Sequence, residues 1–277
     1  MPDPLHESGF DSFGTRYARI GPADAPSVVM IHGLGMNRDF WQPQIVALAR
    51  DCHVVVYDII GHGESPMPDD DVAMDDMVAQ LHGLLRDLEI TQTHVIGHSM
   101  GALIATGFAL AHPEQCLSLV AMNGVYDRPP EVRRTAIARA GEIMSGQSGT
   151  GNEITFRRWF GDSPAADQAG AIAWIRAKLE DNNAAGYGRI YRLFSESDDA
   201  YVGKLGGLAC PALFLTGALD PNSTPEMSER MAAAAPDGRT ISLDGERHMM
   251  SLVSPEETTA ILREFLAEQH QSKTDAA

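Results

Sequence analysis

Basic residues are scarce in this sequence: 21 Lys+Arg stand against 38 Asp+Glu in 277 residues, a formal net charge of −17. A general binder of nucleic acid or anionic lipid displaces phosphate counterions with clustered Lys and Arg. No such cluster occurs, which argues against both partners. Long hydrophobic runs are missing too, since none approaches the eighteen or more apolar residues of a membrane span. The opening stretch, MPDPLHESGFDSFG, is acidic where a secretory signal needs positive charge and an apolar run. A cytoplasmic location is the expectation. Cysteine is limited to Cys52, Cys116 and Cys210. Each sits beside an apolar run with no metal-like spacing, so they read as buried free thiols, and no metal or cofactor is expected. There is no internal repeat.

The rest is ordinary globular material, with 44% hydrophobic and 21% charged residues. The length suits one large domain, or one domain with an insertion. Short β-branched runs alternate with helical patterns, the signature of an α/β fold with a mostly parallel sheet covered by helices. The runs are 27–31, 54–58, 94–96, 117–122, 212–216 and 240–243. Several are almost continuously apolar, as strands buried on both faces are. Helical spacing of Met74, Met77, Val78, Leu81, Leu84, Leu85 and Leu88 predicts a helix over 74–88. Others are expected over 102–110 and from Pro255 through Phe265.

One stretch breaks this rhythm. About 85 residues separate the strand ending near Asn123 from the one starting near Pro211, with helix-like pieces at 131–144, 154–160, 165–179 and 187–194 and a Gly/Ser-rich break, SGQSGTG. We read 125–207 as an insertion, 10–124 and 208–268 as the body, and 1–9 and 269–277 as flexible tails. Residues 125–206 hold 11 basic and 11 acidic residues, leaving 10 against 27 elsewhere. The negative charge therefore belongs to the body, and the global sign does not exclude an anionic substrate.

The sharpest local feature is Gly97-His98-Ser99-Met100-Gly101, placed between the apolar run HVI and the helical ALIATGFAL. A strand before and a helix after permit a tight turn that lifts a serine hydroxyl above the sheet. A serine needs a base, and the base needs an orienting carboxylate. Among ten histidines, His248 is best placed, in the loop GERHMMS between a strand and the last helix. Two acids follow strand ends, where an open parallel sheet builds its site. These are Asp220 in TGALDPNSTP and Asp127 in NGVYDRPP. Asp220 gives the chain order serine, acid, histidine, and Asp127 is the alternative acid. An oxyanion needs backbone N–H donors. Met100, directly after the serine, and Leu34, in the loop IHGLG, are the candidates.

These residues resemble the α/β-hydrolase superfamily, through HGLG at 32–35, DIIGHGES at 58–65, GHSMG at 97–101, the Asp220 turn and the final GERH loop. The resemblance implies Ser99 as nucleophile, His248 as base, Asp220 as orienting acid, and the Leu34 and Met100 N–H groups as oxyanion hole. It also makes the insertion after the sixth strand a mostly helical cap over the pocket, and the His62 segment a structural loop. A serine nucleophile points away from the dehalogenase and epoxide hydrolase branches, which use a carboxylate. The layout is similar to capped hydrolases of catabolic pathways, among them enol-lactonases, carboxylesterases and acylaminomethylene succinate hydrolases. In the last of these the acid is expected after the earlier strand, where Asp127 lies.

The expected function is hydrolysis of a small-molecule ester, lactone or amide through an acyl-serine. A carbon–carbon bond hydrolase with the same triad and a non-catalytic ligand receptor on this fold are the alternatives. Cap arginines suit a substrate carboxylate because the guanidinium fork matches it. The candidates are Arg128, Arg133, Arg134, Arg157, Arg158, Arg189 and Arg192. Phe40, Trp41, Trp159 and Tyr191 are candidate pocket aromatics.

Overall fold

The computed structural model describes residues 5–146 and 153–274. Part of the SGQSGTG break and both chain ends, 1–4 and 275–277, lie outside them. Eight strands form one sheet: β1 (Leu5–Phe10), β2 (Arg16–Gly21), β3 (Ser27–Ile31), β4 (His53–Tyr57), β5 (Thr93–His98), β6 (Cys116–Met122), β7 (Ala212–Gly217) and β8 (Gly238–Leu243). Their order is β1-β2-β4-β3-β5-β6-β7-β8. The first two pairings, β1 with β2 and β2 with β4, are antiparallel, and all others are parallel. The near-continuous apolar runs behave as expected, since every residue of β4, β5 and β7 is buried. They occupy the interior of the sheet, covered on both faces.

Helices α1 (Gln42–Leu48), α2 (Met74–Asp87) and α3 (Met100–Ala111) follow β3, β4 and β5. α2 forms where the spacing predicts it: Met77, Val78, Leu81, Leu84 and Leu85 make its buried stripe. Asp76 accepts from the Ala73 N–H at 2.8 Å and so satisfies one of the donors a helix start leaves open. α3 is apolar all round, and it is buried nearly all round.

Between β6 and β7 lie four helices and no strand among the described residues: α4 (Pro130–Met144), α5 (Glu153–Phe160), α6 (Ala169–Asp181) and α7 (Ala184–Glu196). Asn183 opens α7, its Oδ1 accepting from the N–H groups of Ala185 and Gly186. These helices rest on the loop after β3. Asn182 donates to the Gly35 carbonyl at 2.8 Å, and Leu179 and Tyr187 fill the space beside Gly35, whose φ of 77° suits glycine. The chain closes with α8 (Pro225–Ala234), α9 (Met250–Val253) and α10 (Pro255–Thr274).

The expected tails are a correction. Residues 5–9 lie in β1, and 269–274 continue α10. β1 has no apolar run to betray it. Its backbone pairs with β2 from Leu5↔Gly21 to Phe10↔Arg16, and Arg19 donates to Glu7 across the pair. An edge strand held by its ladder and an ion pair leaves little hydrophobic signal. No described helix is long and apolar enough to cross a membrane. The three cysteines are buried free thiols, with Cys210 Sγ 3.7 Å from Cys116 Sγ.

Candidate active site

Ser99 sits at the single-residue junction between β5 and α3 with φ 55° and ψ −113°, a conformation uncommon for any residue with a Cβ. The turn is tight enough to dictate both flanking glycines. A Cβ on Gly97 would collide with the Gly101 carbonyl, and one on Gly101 with the Ile31 carbonyl. The pattern GHSMG is therefore the steric signature of this turn. Met100 is the first residue of α3, where helix N–H groups have no intrahelical acceptor.

His248 follows β8, and Asp220 follows β7. Nδ1 of His248 lies 2.6 Å from Oδ2 of Asp220, and both residues are buried. Three further donors reach that carboxylate: Asn123 Nδ2 at 2.9 Å on Oδ2, and the N–H groups of Asn222 at 2.8 Å and Ser223 at 3.3 Å on Oδ1. Burial pushes the Asp220 carboxyl up, but the His248 imidazole and the Asn123 and Asn222 donors outweigh it, and it settles below the ordinary carboxylate value.

His98 donates from Nε2–H to the His248 carbonyl at 2.9 Å. Burial, then the neighbouring His248, hold its pKa down to about 3, so it stays neutral. Two more buried histidines fix the loop that carries Leu34. Nδ1–H of His32 donates to the Gly33 carbonyl at 2.8 Å while its Nε2 accepts from Ile59 N–H at 3.0 Å. Nε2 of His62 accepts from Gly35 N–H at 2.9 Å. Burial lowers His32 to about 4 and His62 to about 3.

Above these groups a cavity of about 610 Å³ opens between the sheet's edge and the inserted helices. Ser99, His248 and Leu34 line it from below, and Arg128, Arg139, Glu142, Arg158, Trp159 and Tyr191 are among the residues lining it from the inserted helices and the segment leading into them. The structure thus brings Ser99, His248, Asp220, Leu34 and Tyr191 to one place, with Met100 adjoining.

Other expected site residues go elsewhere. The Asp127 carboxylate is about half exposed and pairs with Arg230 at 3.2 Å, away from His248. Phe40 and Trp41 are fully buried core, with Phe40 packed on the His98 ring at 4.7 Å. Arg128 reaches the cavity, but its guanidinium is used on Asp198 and the carbonyls of Phe194 and Ser195. Arg189 binds the Pro68 carbonyl and Asp70, tying α7 to the segment before α2. Arg133 pairs with Asp199, and Arg192 donates to the Asp70 carbonyl. Arg139 lies in the cavity wall without having been expected there.

Residues 26–255 match the α/β-hydrolase fold family. An (E)-2-((N-methylformamido)methylene)succinate hydrolase of Acinetobacter baylyi is 36% identical over 241 residues, covering 86% of this chain and 89% of that protein. The enol-lactonase from Burkholderia xenovorans LB400 superimposes with a TM-score of 0.81 at 25% identity, over 94% of this chain and 100% of that one. A thermophilic esterase from Thermogutta terrifontis shares the fold, with a TM-score of 0.78 at 24% identity over 97% and 99% of the two chains.

Proposed function

The chain belongs to the α/β-hydrolase fold family, and we propose that within it this protein is a small-molecule serine hydrolase acting through Ser99, His248 and Asp220 on carboxylate-bearing substrates. The observation that carries this reading is the 2.6 Å His248–Asp220 bond in the wall of the cavity that the strained Ser99 enters. With Nδ1–H given to Asp220, Nε2 is the nitrogen left to exchange a proton with the serine.

Ser99 Oγ attacks the substrate carbonyl carbon while its proton passes to His248 Nε2. The resulting oxyanion accepts from the N–H groups of Leu34 and Met100, each worth about 3 kcal/mol in the transition state. Collapse of the intermediate breaks the acyl–oxygen or acyl–nitrogen bond, and the departing atom takes the proton from His248. Water then gives one proton to His248 and attacks the acyl carbon. A second collapse returns that proton to Ser99 and releases the acid. Asp220 stays ionised throughout, holding the imidazole's tautomer and stabilising its protonated form.

Residues 125–207 act as the cap over this chemistry. Arg139 and Arg158 in its wall supply positive charge, and the A. baylyi relative's named substrate is a succinate carrying an acylated nitrogen. A substrate with one or more carboxylates and an acyl–nitrogen or acyl–oxygen bond fits both. Turnover of matched pairs of esters, enol-lactones and amides, with and without a carboxylate, is the test. Higher kcat/KM for the anionic member of each pair is expected. Equal turnover of both members rejects the substrate class, and turnover of carbon–carbon diketones alone rejects cleavage of an acyl–oxygen or acyl–nitrogen bond.

A further inference from the structure

Three neighbours surround the imidazole of His248, and each acts differently on its charge. Asp220 accepts from Nδ1. The His98 ring lies 5.0 Å away between centroids and is kept neutral by burial. The third comes from the cap: the indole of Trp159, on α5, lies 13° from parallel with the imidazole at 6.0 Å between centroids. That placement is built. Phe156 braces the indole edge-on at 6.1 Å, and the Arg176 guanidinium sits 3.8 Å over the Phe156 ring.

From the cap, the indole is the ring stacked on the imidazole. The charged side chains that line the same cavity are Arg139, Glu142, Arg158 and the Asp198-bound Arg128. In His248's own loop, Arg247 donates to the Leu219 carbonyl and Glu246 accepts from Ser254. An aromatic face attracts a cation centred within about 6 Å of it, while a neutral imidazole gains only stacking. His248 becomes a cation only after it has taken the serine's proton. An interaction that exists mainly in that state lowers the barrier without tightening ground-state binding.

We infer that Trp159 is a positioning residue of the reaction, its indole face stabilising the protonated form of His248 so that the cap tunes the base of the hydrolase body. This rests on His248 being the base. The indole also lines a second cavity, of about 280 Å³, to which Ser99 and His248 do not contribute, walled by Phe160, Gly161, Glu246 and Arg247 among others. A wall that merely kept this second space from His248 would have the opposite effect on proton affinity. Removing it would hydrate the imidazole and favour the cation, whereas removing a cation-binding face disfavours it.

The experiment is a ¹H–¹⁵N titration of the imidazole signals of the native protein, Trp159→Phe and Trp159→Leu, with His248 assigned by its loss in His248→Gln. The His248 midpoint should fall by about half a pH unit in Trp159→Leu and by less in Trp159→Phe. The acid limb of kcat/KM should move with it. An unchanged or raised midpoint in Trp159→Leu overturns the inference. The two readings fail separately: native turnover in His248→Gln would remove the base, while the titration reports the indole's effect on the ring directly. Trp159→Phe keeps an aromatic ring in place and supplies the comparison should the leucine variant fold poorly.

Discussion

Asn123 Nδ2 donates to Oδ2 of Asp220 at 2.9 Å, and it is the same oxygen that receives Nδ1–H of His248. Asn123 stands just past the end of β6, fully buried, with φ 49°. Asparagine is among the few residues that adopt this backbone without large cost. Its amide gives the carboxylate a neutral donor, so Asp220 is oriented without a competing charge. Ser223 Oγ, donating to the Asn123 carbonyl at 2.6 Å, ties the two loops together.

Replacing that amide by a carboxylate reverses its sign. Asn123→Asp keeps the size and tolerates the backbone, but it puts a second acid against Asp220 and His248. The added negative charge beside the imidazole favours the imidazolium. The acid limb of kcat/KM should therefore shift upward by about one pH unit. A pH profile identical to the native one would show that Asn123 has no bearing on the pair.

The two strand-end acids separate by the same logic. Asp220→Asn should lower kcat by about 10⁴, because the wrong tautomer is then favoured. Asp127→Asn removes an exposed ion pair with Arg230, worth about 0–1 kcal/mol, and should leave kcat within about threefold. Steady-state kinetics of both variants decides; the reverse ranking would make Asp127 the acid.

Much of this site is legible in the sequence because its geometry demands particular residues. The Ser99 turn admits only glycine at 97 and 101, and the strand-loop-helix context of His248 and Asp220 fixes where their side chains can go. Phe40 and Trp41 show where pattern fails: an aromatic in the core and one in a pocket wall have the same local sequence. Asn123 and His98 were missed for another reason. Their partners, Asp220 and the His248 carbonyl, lie 97 and 150 residues away. An asparagine directly after a buried strand, where few other residues accept positive φ, is the one available hint. Arg128 and Arg189 were expected to meet substrate, yet they meet Asp198 and Asp70, because charge alone does not say which acid an arginine will find.

The cap arginines should divide accordingly. Arg158→Ala should raise KM for an anionic substrate by about tenfold, the scale of one charge-assisted hydrogen bond, and leave a neutral ester unaffected. Arg189→Ala should not discriminate between the two, since its guanidinium holds the Pro68 carbonyl and Asp70. Kinetics on one charged and one neutral substrate checks both; equal effects of Arg158→Ala on the two would contradict an anion-binding role.

Stability should depend on pH through His32, His62 and His98, which burial holds to about 4, 3 and 3 against an ordinary value of 6.5. The unfolded chain takes up protons as pH falls through 6.5, while the folded chain does not until near 4. Their contribution is thus complete above 6.5 and is lost as pH falls below it, by up to about 1.4 kcal/mol per unit for each group. The folded pKa of Asp220 is depressed, so its contribution is lost only lower, as pH falls through and below the carboxylate range. Calorimetry should show Tm declining steadily from pH 7 to pH 4.5; a flat Tm would contradict the neutral, buried assignment.

The central claim, a nucleophilic Ser99 activated by His248, is tested most directly by intact-protein mass after exposure to a fluorophosphonate. The native chain should gain one phosphonyl group per molecule, His248→Gln should react at least about a thousandfold more slowly, and Ser99→Ala should gain none. No labelling of the native protein, or labelling that survives Ser99→Ala, would contradict it.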